Sequence, residues 1–105
     1  MKETKSQWLE RMTNQLGLDA DEILEVADVF VETSGDYLKT LKECRTADEE
    51  AVRAAHTLKG SAANLGLDEL SDTARLVELD LRRGEIPSEI INRLIEIFED
   101  FQEFL

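Results

Sequence analysis

The chain carries one histidine, His56, and the residues around it have types and spacings that suit nucleophilic chemistry. The run from Ala51 to Gly66 has helical periodicity, with Ala51, Ala55, Leu58, Ala62 and Leu65 as its apolar stripe. At about 100° per residue, His56 points roughly 140° away from the centre of that stripe, toward solvent. A neutral imidazole there would be an accessible nucleophile near pH 7. Lys59 and Gly60 lie one turn further along the same side, Val52 one turn before, and Ala63 one turn beyond Lys59 and Gly60. Glycine costs about 1 kcal/mol against alanine in a helix interior. Its presence at 60 implies that something must approach the imidazole closely. Val52 and Ala63, with Gly60, form a small apolar patch on which a partner would dock.

A second helix must complete this site. A turn at Gly66-Leu67 folds the chain back, and residues equally far from it become level. His56 and Glu78 form such a pair. The Glu78 carboxylate would accept a hydrogen bond from one imidazole nitrogen, fixing the tautomer and leaving the other nitrogen as nucleophile. Lys59 would neutralise phosphoryl oxygens as a point charge. Asn64 and Arg75 flank this face; Asn64 reads as a solvated polar residue near the helix end, and Arg75 as a member of a surface ion pair.

The elements that position these residues are helical throughout. A first helix runs from about Thr4 to Leu16, with Trp8, Met12 and Leu16 on one face and Gly17 as its stop. Asp19 with Glu22 opens a second helix as a capping pair. Its stripe is Leu24, Ala27, Val31, Leu38 and Leu41, with Ile23, Phe30 and Tyr37 beside it. Ser34-Gly35 in its middle predicts a kink or a split into two helices. Thr46 with Glu49 reads as the capping box of the third helix. Asp68 reads as the cap of the fourth, whose stripe is Leu67, Leu70, Ala74, Val77 and Leu81. Arg82-Arg83-Gly84 stops it, with cations in the last turn and glycine after. Pro87 suits the first turn of a fifth helix, carried by Ile90, Leu94, Ile97, Phe101 and Leu105. Short loops between the later helices force antiparallel neighbours. The expectation is an all-α fold, an antiparallel up-down four-helix bundle with a short additional N-terminal helix over one end, and a single domain over 1–105.

Composition excludes several classes of function. The 105 residues hold 24 acidic and 12 basic side chains, for a net charge of −12. Such a surface repels nucleic acid and anionic lipid. One cysteine, Cys44, provides no internal disulfide, and a reducing cytoplasm is the simplest location. No stretch approaches a membrane span, and the first residues lack the apolar core of a signal peptide. A single histidine among scattered carboxylates makes no metal set. No glycine-rich phosphate loop is present, so nucleotide binding of that kind is not expected. Phe98, Phe101 and Phe104 read as core and end packing.

The run His56-Thr57-Leu58-Lys59-Gly60-Ser61-Ala62-Ala63-Asn64-Leu65-Gly66, with Glu78 in the next helix, resembles the signature of histidine-containing phosphotransfer (HPt) domains. The resemblance extends over the whole chain, including the five-helix layout. It implies a phosphocarrier, not an enzyme, in a two-component phosphorelay. His56 would be the phosphorylated residue, Lys59 would stabilise the phosphoryl group, Gly60 would give access and Glu78 would orient the imidazole. The partners would be response-regulator receiver domains and a sensor histidine kinase. The receiver supplies the acidic pocket and Mg²⁺, so no cofactor or metal is expected on this chain, and a monomer leaves the histidine face open. Two other readings stay open: a phosphotransfer domain cut from a larger chemotaxis-type kinase, and a helical interaction module without phosphate chemistry.

Overall fold

The computed structural model describes residues 2–105. Among them are five helices and no strand: α1 (Lys5–Leu16), α2 (Ala20–Glu43), α3 (Glu49–Asn64), α4 (Asp68–Arg82) and α5 (Ser88–Phe104). Helices α2 and α3, α3 and α4, α4 and α5, and α5 and α2 are packing neighbours, so these four close a ring. One core threads it, with Ile23, Ala27, Leu41, Leu58, Ala62, Leu70, Ala74, Val77, Leu81, Leu94 and Phe101 all buried. The molecule measures 41 × 22 × 19 Å, elongated as helices of this length require.

Local chemistry explains the boundaries, and corrects some of the expected ones. Thr4 caps α1, exchanging hydrogen bonds with Gln7, and Asp19 caps α2 in the same way with Glu22. Helix α3 starts two residues later than expected. Asp48, not Thr46, is its cap, and the Asp48 carboxylate accepts the Ala51 N–H at 2.9 Å. Aspartate is the stronger capping side chain, and this start places Glu49 and Glu50 in the first turn beside the positive end of the helix.

Asp68 does not cap α4 either. The Leu67 N–H bonds back to Ala62 O at 2.9 Å, so α3 passes almost directly into α4. The Leu67 side chain must turn into the core, which puts Leu67 at the cap position and Asp68 inside the first turn. Gly66 makes that passage with φ +64, and a Cβ there would collide with Arg11 and Met12. Pro87 stands one residue ahead of α5 as its cap.

Helix α2 runs unbroken through Ser34-Gly35, so of the expected kink or split the split does not occur. Ser34 is buried, spaced one turn from both Phe30 and Leu38. Packing along that face holds the helix against the cost of Gly35. The inward face of α2 is Ile23, Ala27, Phe30, Ser34, Leu38 and Leu41, with Leu24, Val31 and Tyr37 only partly covered. In α5 the buried set is Ile91, Leu94, Ile97, Phe98 and Phe101, rotated from the expected one, and Ile90 and Leu105 lie at its margin.

Helix α1 covers the end of the ring where α3 turns into α4. The buried Trp8 indole N–H donates to Leu65 O at 2.9 Å, and the Arg11 guanidinium donates to Gly66 O at 3.0 Å. The Trp8 ring meets Phe101 and Phe104 edge-on, with centroids 5.7 and 5.8 Å away. Leu16, expected on the same face, is exposed.

Candidate functional site

The site lies away from that end, along the seam between α3 and α4. Two features set its register. The tight passage at Gly66 fixes where the helices turn, and the Ser71 hydroxyl of α4 donates to the Lys59 carbonyl of α3 at 2.9 Å. With the seam so fixed, His56 and Glu78 are level. The His56 side chain is 59% exposed, and that of Glu78 only 7%. His56 Nδ1 sits 3.0 Å from Glu78 Oε2 and 3.2 Å from Oε1.

Two cations share the same carboxylate. Lys59 Nζ lies 3.0 Å from Oε1. Arg82 donates to Oε2 through Nε at 2.9 Å and Nη2 at 2.6 Å. Burial pushes the Glu78 carboxyl up, but hydrogen bonds from Arg82, Lys59 and His56 outweigh it and hold the pKa at about 2. Near neutral pH Glu78 is therefore a carboxylate with no proton to give. The hydrogen in its bond to histidine belongs to Nδ1, and Nε2 of the neutral ring keeps a free lone pair. The arrangement offers an oriented, solvent-facing nucleophile with basic side chains beside it, in a strongly acidic protein.

The remaining site residues fall around this centre. Gly60 is exposed, and a Cβ there would meet nothing within 4 Å. Its missing side chain therefore keeps the surface beside His56 low and serves no packing need inside the molecule. Ala63 is exposed, and Val52 is partly buried against the core. Val52, Arg53, His56 and Arg82 line one open groove at the first half of α3. Arg75 and Asn64 are exposed, and Arg75 makes no ion pair among the described residues. Cys44 is partly buried, its thiol pushed up by desolvation first and by Asp48 second, which suits a quiet thiol.

Two features escape a reading of the sequence. Arg82 reads there as part of a helix stop, although its spacing four residues after Glu78 is the signal for an ion pair on one helix face. The second is apolar exposure on α2. Val29 is 62% and Val26 42% exposed, and they share a groove with Tyr37 of α2 and with Ser61 and Asn64 near the end of α3. No motif marks those valines.

Compared with known protein families, the chain matches the Hpt domain over residues 25–104. The chain belongs to the Hpt domain family. The match takes in most of α2 and all of α3 and α4, the two helices that carry the His56–Glu78 pair, and leaves α1 outside. Hpt domains are phosphocarrier modules that act with receiver domains and kinases in phosphorelays, and they are not themselves catalysts. Comparisons with curated proteins and with solved structures find no match. None of the described helices is long and apolar enough to cross a membrane.

Proposed function

We propose that this Hpt domain accepts a phosphoryl group on Nε2 of His56 and exchanges it with the aspartate of a receiver domain, within a relay fed by a sensor histidine kinase. The observation that carries the reading is the contrast in exposure across one hydrogen bond. Nδ1 is tied to the buried, ionised Glu78, and the other edge of the ring faces solvent.

In transfer from a receiver, the Nε2 lone pair forms the N–P bond as the P–O bond of the aspartyl phosphate breaks. The aspartate leaves as a carboxylate. Positive charge develops on the ring, and the Nδ1–H···Glu78 bond stabilises it. Such a transfer has a loose, in-line transition state, so positioning and neutralisation dominate its catalysis. Lys59 supplies a cation to the phosphoryl oxygens, and the receiver supplies Mg²⁺. Gly60 keeps the path to Nε2 open. Val52 and Ala63, with the Val26–Val29 face of α2, form the docking surface, so an acidic partner pocket is met by apolar contact.

The ring of packing neighbours supports reading α2 to α5 as an antiparallel up-down four-helix bundle, with 1–105 as one domain. We take it to act as a monomer, which leaves the histidine face open, and to work in the cytoplasm with its relay partners.

The test is transfer from a phosphorylated receiver to the wild type and to His56→Gln. Acid-labile, base-stable phosphate on the wild type alone supports the reading. Equal labelling of His56→Gln would refute the assignment of His56.

A further inference from the structure

The Glu78 carboxylate holds two cations where neutralising one charge needs only one. Lys59 lies on Oε1 and Arg82 on Oε2, with His56 Nδ1 within reach of both oxygens. The cations differ in what else they could do. Lys59 stands one turn from His56 on the same helix, and its flexible stem can carry the ammonium to a group on Nε2. Arg82 belongs to α4, four residues after Glu78, and engages one oxygen through two N–H groups. When Lys59 turns to phosphoryl oxygens, Glu78 loses that partner just as a dianion arrives nearby. A carboxylate only 7% exposed cannot turn to water instead. Left alone it would take up a proton or swing away, and Nδ1–H would lose its acceptor.

We infer that Arg82 is a positioning residue that keeps Glu78 ionised and in place while Lys59 is drawn off to the phosphoryl group. The division is of labour between two cations, one mobile and one fixed. The inference rests on the proposed carrier role, yet part of its test needs no phosphate.

Lys59→Ala imitates the departure of Lys59. Both side chains lie toward the surface, so the variants should fold. The imidazole nitrogen resonances of His56 report which nitrogen carries the proton. In Lys59→Ala the Nδ1–H form is expected to persist, held by Arg82. In Lys59→Ala/Arg82→Ala it is expected to give way to a mixture of tautomers. Loss of the Nδ1–H form in Lys59→Ala alone, or its survival in the double variant, would overturn the inference.

Phosphorylation of His56 by phosphoramidate, which needs no partner, gives the kinetic arm. Arg82→Ala should slow it on the order of tenfold, the scale of one charge-assisted hydrogen bond with an exposed donor. Arg82→Lys should recover most of the rate. In a Glu78→Gln background, where no charge needs holding, Arg82→Ala should change little. An equal loss in both backgrounds would mean that Arg82 acts on the phosphoryl group directly, against the inference. If His56 takes up no phosphate at all, the carrier reading fails, and the resonances still decide how Glu78 is held.

Discussion

Helix α3 is anchored at two places by buried polar contacts, and the two are built for opposite ends. At its C-terminal end the Trp8 indole donates to Leu65 O inside a dry aromatic cluster with Phe101 and Phe104. Donor and acceptor are neutral, matched and out of reach of solvent. Midway along, Glu78 is as well buried, but its partners His56, Lys59 and Arg82 reach it from the surface. The first contact locks a helix to the fold. The second locks only one edge of a side chain and leaves the other in water. Burial in one place secures the scaffold, and in the other it fixes a tautomer.

The sharpest separation should come from His56→Gln. It should abolish phosphorylation while shifting unfolding free energy by no more than about 1 kcal/mol, the scale of the one hydrogen bond to Glu78 that it alters. Chemical denaturation beside a transfer assay checks both. Trp8→Ala should do the reverse. It empties a fully buried site and should cost about 3–5 kcal/mol, while the folded fraction still accepts phosphate normally. A Trp8→Ala protein as stable as wild type would break the comparison at its structural end.

Gly60→Gln should sharpen it at the functional end. Its side chain points into open space, so the protein should fold normally, yet transfer from a receiver should fall steeply. Gly60→Ala should raise stability by up to about 1 kcal/mol, since nothing meets the added methyl.

A further effect is one of pH. The folded Glu78 carboxyl is held at about 2, against an ordinary value of 4.5. Its contribution to stability is therefore fully present above pH 4.5 and is lost as pH falls toward 2. With Lys59 and Arg82 partly solvated, it amounts to about 2 kcal/mol. Urea unfolding of wild type and Glu78→Gln across that window should show their difference shrinking with acid.

Periodicity was a good guide in α3 and α4, each of which has one apolar stripe. The α3 stripe of Ala51, Ala55, Leu58, Ala62 and Leu65 is buried as spaced, and the outward direction of His56 follows from it. Helix α2 was harder, because it carries apolar residues around much of its circumference. Ile23 and Phe30 compete with Leu24 and Val31, and only the positions of α3 and α5 decide between them. Capping went to Asp48 over Thr46 because two acceptors stood within two residues, and tertiary register chose the stronger. The level pairing of His56 and Glu78 was legible because the α3–α4 turn is short. Arg82 was not, since a basic residue before glycine already has a sufficient local explanation as a helix end. Its partner, the buried carboxylate one turn back, emerges only when Glu78 is seen to face inward.

The most direct measurement is to phosphorylate the protein and assign the phosphorus by long-range nitrogen and phosphorus couplings in the imidazole. The account predicts phosphate on Nε2 of His56, with Nδ1 still protonated against Glu78. Phosphate on Nδ1, or on another residue, would contradict it.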